Sequence, residues 1–357
     1  MSRPSTLQRR PWLLLLWVAL AVDGGLSTVS IARGEPVVLR FGTVAPDGTA
    51  WARIAKQTGA DLAAATHGTV VSKWYFGGIA GDELQMLERV HKDQLDGIVS
   101  AGMLCEKLSP SMRVLRMVGL FQTRDESGYV AGRLKALFDE DFRKQGFVNL
   151  GDVGIGPDLI FSREPIRNMD ELRRAKLWTW SLDEVFVATF SMLGMHAVPL
   201  PIDSAYRAYE DHRVDGFLAV PTAALGFQWS TQARYLTDLH IAFLRACILI
   251  STRAFDPLPT EAKMALLNSS AKGMMQLENR GREQDDQLLG GLFAKQGMKM
   301  VPVTEAFRAE FFAQARAARE QLAQMGKLVR PELVQRVLTL LADYRAEHRA
   351  VEGDKRP

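Results

Sequence analysis

The sequence predicts an α/β protein of two lobes. Three observations carry this. A β-α-β-α-β alternation begins at Val37, a second alternation runs from about Gly156 to Leu244, and each contains a helix that ends in the same apolar-Asp-Gly turn. With 357 residues, 47% hydrophobic and 24% charged, the chain has the composition of a globular protein and the length of two domains. The 44 basic and 41 acidic residues nearly cancel, which leaves no electrostatic case for nucleic acid as a partner. Two cysteines cannot build a disulfide framework or a four-cysteine zinc site.

In the first lobe, Val37–Gly42 reads as a strand, rich in β-branched residues and stopped by glycine. Ala50–Ala65 has Trp51, Ile54, Ala55 and Leu62 at helical spacing, with Asp47 available as a cap. Thr69–Tyr75 is a second strand, Asp82–Lys92 a second helix and Ile98–Ser100 a third strand. This order predicts a parallel sheet covered by helices on both faces. Ligands of such sheets sit at the carboxyl ends of the strands, which marks Thr43–Asp47 and Ser100–Met103.

The segments ending Leu95-Asp96-Gly97-Ile98 and Val214-Asp215-Gly216-Phe217 echo each other. A glycine at positive φ and an aspartate bonded to the local backbone would explain both turns. In the second lobe Leu159–Ser162, Leu177–Trp180 and Ala197–Leu200 read as strands. Asp170 opens a short helix and Asp183–Leu193 forms another. Phe243–Thr252 is apolar enough for a buried strand linking the lobes. Thr260–Ala294, Thr304–Met325 and Pro331–His348 read as helices, followed by a charged tail. The domain reading is therefore 1–32 export signal, 36–155 plus about 245–290 first lobe, 156–244 plus about 291–330 second lobe, and 331–357 C-terminal helix and tail.

Arg9 and Arg10 precede an apolar run, Pro11–Val22, that is too short for a bilayer span of about 20 residues. Together with Ser30-Ile31-Ala32 it predicts a secretory signal and a periplasmic protein, a short anchor being the competing reading. No cysteine follows the run to carry a lipid.

Enzymatic motifs are missing from the sequence. Gly151-Asp-Val-Gly154-Ile-Gly156 follows a strand, Phe147–Leu150, and leads into another strand rather than a helix, so it offers no phosphate cradle. The six histidines show no metal-binding spacing, and no nucleophile–base set can be defended. No catalytic residue, metal ligand or cofactor is therefore expected. Cys105 and Cys247 lie in different segments and read as buried free thiols, with a bridge as the alternative. A two-lobed exported protein without catalytic motifs reads as a ligand-binding protein that closes by hinge motion.

Phe41-Gly42-Thr43-Val44-Ala45-Pro46, Trp74–Glu83, Gln94–Gly97, Phe161–Leu172, Val198–Pro201, Tyr206, Val214–Gly216 and Tyr235–His240 form an ordered set. It resembles the DctP-type solute-binding subunits of tripartite ATP-independent periplasmic (TRAP) transporters over about residues 37–320. The resemblance implies the two-lobed periplasmic binding protein fold, with crossing strands and a long C-terminal helix. It also implies a receptor that hands a small solute to an integral-membrane permease. In the family pattern an arginine on the strand after "dlkGlK" clamps the ligand carboxylate; that position here is Trp178. The polar "QEN" of the family becomes Phe217-Leu218-Ala219, and the glutamate of "fsEvY" becomes Ser204.

Trp cannot supply the forked donor that suits a carboxylate. Burying about 300 Å² of apolar ligand surface could contribute about 7 kcal/mol, against about 1.5–3 kcal/mol for a charged hydrogen bond. The expectation is thus an apolar or amphiphilic, non-carboxylate ligand, larger than a small acid. The expected contacts are Thr43, Val44, Trp51, Trp74, Phe76, Met103, Phe121, Trp178, Trp180, Phe217 and Ala219. An apolar cargo would also call for a periplasmic carrier protein that shields it from water. The alternative is a small organic acid held by another cation, Arg163 or Arg207; a periplasmic enzyme or structural partner protein is the reading of another class.

Overall fold

A computed structural model describes residues 35–353. The export signal read at 1–32 and the last four residues lie outside the described residues. Eleven strands are named in chain order among them: β1 (Val37–Thr43), β2 (Val70–Tyr75), β3 (Gly97–Ser100), β4 (Phe147–Pro157), β5 (Leu159–Ser162), β6 (Lys176–Trp180), β7 (His196–Leu200), β8 (Gly216–Ala219), β9 (Tyr235–Thr237), β10 (Phe243–Ser251) and β11 (Lys299–Val301). They form two mixed sheets, ordered β2-β1-β3-β10-β4 and β11-β9-β5-β8-β6-β7.

The first three strands are parallel, as their alternation with helices dictates. The expected all-parallel sheet stops there, because β10 returns antiparallel to both β3 and β4. The glycine-rich stretch after Leu150 does not end a strand. It continues β4 to Pro157, and the irregularities appear as register shifts opposite β10. The chain then passes through Asp158 straight into β5 of the second sheet. Asp158 N–H donates to Ala242 O (2.8 Å), and Ile241 N–H donates to Asp158 O (3.0 Å), so the outgoing and returning strands are tied where they cross.

The two Asp-Gly turns are equivalent in detail. Asp96 accepts from Arg40 N–H (2.8 Å) and Asp215 from Lys176 N–H (2.9 Å), each capping the neighbouring parallel strand. The positive φ falls on Asp93 (60°) and His212 (56°), four residues before each glycine, and not on the glycines. What requires glycine is close approach. A Cβ at Gly97 would lie 2.6 Å from Leu249 O, and one at Gly216 would lie 2.4 Å from Phe161 O.

Helix Ala50–Ala65 is capped by Thr49, whose Oγ1 accepts from Ala52 N–H (3.2 Å). Asp47, the expected cap, instead pairs with Lys56 at 2.6 Å. Helix Glu83–His91 carries a reciprocal capping box between Asp82 and Gln85. Helix Arg124–Lys144, absent from the sequence reading, covers β4. The long helix ends at Gln287 rather than Ala294, in a wider turn (Leu288–Leu292) where Gly291 has φ 130°. Helices Glu305–Met325 and Pro331–Gly353 follow.

Cys105 and Cys247 form a disulfide, with Cα atoms 6.1 Å apart, which corrects the reading of free thiols. The pairing of β10 with β3 sets Cys247 opposite Ser100, and Cys105 lies one turn into helix Met103–Leu108, which follows β3. No helix among the described residues is long and apolar enough to cross a membrane.

Candidate functional site: a cavity between the sheets

A cavity of about 100 Å³ lies where the carboxyl ends of β1, β3, β6 and β8 converge. Thr43, Val44 and Ala45 reach it from β1, Ser100, Ala101 and Met103 from β3, Trp178, Thr179 and Trp180 from β6, and Leu218, Ala219 and Val220 from β8. Trp51 closes one side from the first helix. This is where strand polarity places ligands in open α/β sheets.

Seven of the eleven expected contact residues line this cavity: Thr43, Val44, Trp51, Met103, Trp178, Trp180 and Ala219. Four do not. Trp74 and Phe76 lie on the far side of Trp51, in the stack Phe41–Trp74–Phe76. Phe121 is 1% exposed in the core. Phe217 is fully buried behind the cavity, stacked between Tyr209 and Trp229. The position of Phe217 follows from sheet geometry, since alternate residues of β8 face opposite sides of the sheet, whereas Phe121 lies in the loop before helix Arg124–Lys144.

The cavity has one cation among its lining residues, and sequence reading missed it. Arg116 ends the segment Pro110–Arg116, with its guanidinium 3.8 Å over the Phe186 ring. Its Nε donates to Asp183 Oδ2 (2.9 Å), its Nη2 lies in ion-pair contact with the same oxygen at 2.8 Å, and Nη1 donates to Asp158 Oδ2. All three residues are at most 5% exposed and all line the cavity. Asp183 also caps its helix, accepting from Phe186 N–H (3.0 Å). Burial works against the charge of Arg116, but the two carboxylates and Glu106 outweigh it and raise its pKa. Burial pushes the Asp158 carboxyl up, opposed by Arg116 and assisted by Asp183. With both acids ionised the triad carries a net charge of −1. A guanidinium has five N–H donors, and these contacts leave two.

None of the arginines weighed from sequence reaches the cavity. Arg163 stacks on Tyr209 at 3.8 Å and donates to its carbonyl. Arg207 is exposed beside Asp211. Arg173 holds Gln314 (2.7 Å) and Leu193 O, and Arg174 is exposed. Beside the cavity, Trp178 Nε1 and Thr179 Oγ1 are buried without a protein partner. Trp178 itself leans on Trp229 at 4.9 Å, which stacks on Phe227 at 5.1 Å. No cluster of metal-ligating side chains occurs among the described residues.

Two sheets are thus joined by crossing strands, with a lined cavity between them. Residues 41–325 match the family DctP, the bacterial extracellular solute-binding proteins of family 7, and the chain belongs to that family. Its members are periplasmic binding proteins that serve TRAP transporters, and they are not enzymes. The chain is 23% identical over 278 residues to the 2,3-diketo-L-gulonate-binding periplasmic protein YiaO of Escherichia coli, covering 75% of this chain and 82% of the relative. In structure it is similar to the sugar acid binding protein DctPAm of Advenella mimigardefordensis in complex with galactonate (TM-score 0.80, 19% identity, 87% and 99% covered). It is also similar to a TRAP periplasmic solute binding protein of Polaromonas bound to D-erythronate (TM-score 0.78, 16% identity, 86% and 98% covered).

Proposed function

We propose that this chain is the exported receptor of a TRAP transporter for a compact organic acid. Arg116 receives the carboxylate, while Trp178, Trp180, Trp51, Val44 and Met103 cover an apolar remainder. The observation that carries the proposal is Arg116, the one cation on a cavity otherwise walled mainly by carbon. The acids named for the similar proteins, diketogulonate, galactonate and erythronate, support an acid as cargo. The size of the cavity supports a small one: a cavity of about 150 Å³ admits benzene, and this one is about 100 Å³. The same volume speaks against the larger apolar or amphiphilic ligand expected from sequence.

A second reading rests on Asp158 and Asp183. They already neutralise Arg116, and a ligand carboxylate about 5 Å from either would be repelled by about 3 kcal/mol at an effective dielectric near 20. Trp178 also stands where the resemblance gives the family its carboxylate-clamping arginine. In this reading the ligand is a neutral apolar or amphiphilic molecule stacked on Trp178 and Trp180, passed on by a periplasmic carrier. Calorimetry of short monocarboxylic acids and their amides decides between the two. The first reading expects acids to bind and amides to be rejected; amides binding as tightly as the acids would overturn it in favour of the second.

A further inference from the structure

Resting on the acid reading, we infer that the site binds a monocarboxylic acid together with one proton, shared between the ligand and Asp158, and thereby rejects dicarboxylic acids. Arg116, Asp158 and Asp183 are buried together and sum to −1 before any ligand arrives. An anionic ligand on the two remaining N–H donors of Arg116 would bring three carboxylates to one guanidinium. Carboxylates that share a site do not all ionise; one holds a proton with a strongly raised pKa.

The hydrogen bonds choose which one. Asp183 accepts from Arg116 Nε and from Phe186 N–H and has Arg116 Nη2 in ion-pair contact, so its charge is held on both oxygens. Asp158 accepts from Arg116 Nη1 alone, and no donor among the described residues reaches its Oδ1. Its carboxyl is already pushed up by burial.

The other charged groups nearby do not take that role. Glu106, on helix Met103–Leu108, faces Arg116 and Asp183 rather than Asp158, and burial, then Asp183, pushes its carboxyl well above the ordinary range, so it takes up no further proton when an acid arrives. Arg113 pairs with Glu184 at 3.2 Å. Arg245 on β10 pairs with Asp152 on β4 at 2.6 Å. Glu83 is held by Ser100 Oγ and by Ala101 and Leu104 N–H. A second ligand carboxylate would find no further cation on the lining.

The test is calorimetry of the mature protein with a panel of monocarboxylic acids of about four to six carbons, their amides, and dicarboxylic acids of the same length. Each titration is run in buffers of different ionisation enthalpy. The expected result is uptake of about one proton per acid bound near neutral pH, with Kd rising about tenfold per pH unit once the free site is unprotonated. Asp158→Asn is expected to abolish the uptake and flatten the pH dependence of the acid binding that remains. If that variant does not fold, proton uptake by the wild-type protein decides alone. An acid bound without uptake, or a dicarboxylic acid bound as tightly, overturns the proton inference and leaves the acid reading standing. Binding of amides alone, or of no acid in the panel, overturns the acid reading and this inference with it.

Discussion

Removing the Cys105–Cys247 bridge by Cys105→Ala with Cys247→Ala tests how far the first sheet depends on a covalent tie. The bridge closes a loop of 142 residues, which in the chain-entropy account restricts the unfolded state by about 5 kcal/mol. Both sulfurs are fully buried, so the alanines also leave small voids that add to the loss. The bridge joins helix Met103–Leu108 to β10, the two elements next to β3, so the loss falls on the first sheet. For a domain of this size about 2 °C of melting temperature corresponds to 1 kcal/mol, which gives an expected fall of about 10 °C. The assay is differential scanning calorimetry of wild type and double variant, each with and without reductant. The variant should ignore reductant, and the wild type unfolded and refolded under reductant should melt between the variant and the oxidised wild type, because it loses the cross-link but keeps both side chains. Wild type and variant melting within about 1 °C of each other would refute the reasoning, because the cross-link would then be restricting nothing in the unfolded chain.

Other expectations follow from single positions. Gly216→Ala puts a Cβ 2.4 Å from the Phe161 carbonyl in a central strand and should destabilise by about 3 kcal/mol, whereas Gly128→Ala, open on an exposed helix face, should stabilise by up to about 1 kcal/mol; denaturant midpoints compare them. Burial raises Glu83 and Asp285 to about 7, so between about pH 4 and 7 the folded chain holds protons that the unfolded chain has released. Stability from these groups is full below the ordinary carboxylate range and falls as pH rises toward 7, so melting temperature should drop from pH 5 to 7.5; a rise would contradict this. Trp178→Arg adds a second guanidinium at the end of β6, and under the acid reading it should tighten acid binding by about 10- to 100-fold while reducing proton uptake. Unchanged binding would place the solute elsewhere.

Much of the fold was legible because its signals are local. The residues of β1, β2 and β3 and the helices between them announce themselves by apolar spacing, and the paired Asp-Gly turns mark matching points in two lobes. β4 was cut short in the reading because three glycines in six residues erase the apolar alternation that defines a strand. Its partner β10 was read from its apolar run, but the pairing of the two, visible only in three dimensions, restores the ladder. The lining residues at the strand ends were legible for the same reason the strands were. The Arg116–Asp158–Asp183 triad was not. Its members lie 42 and 67 residues apart, and each has an unremarkable local role, Asp183 as a helix cap and Asp158 as a link between strands. Phe121 and Phe217 show the reverse error, since aromatic character marks a buried layer without saying which side of it holds the solute.

The crossing at Asp158 brings two properties to one residue. Its backbone is stitched to Ala242 and Ile241 at the joint, and its side chain touches the arginine that faces the cavity. Under the acid reading, a substitution at residue 158 that alters solute binding would therefore also act at the point where the chain passes from one sheet to the other.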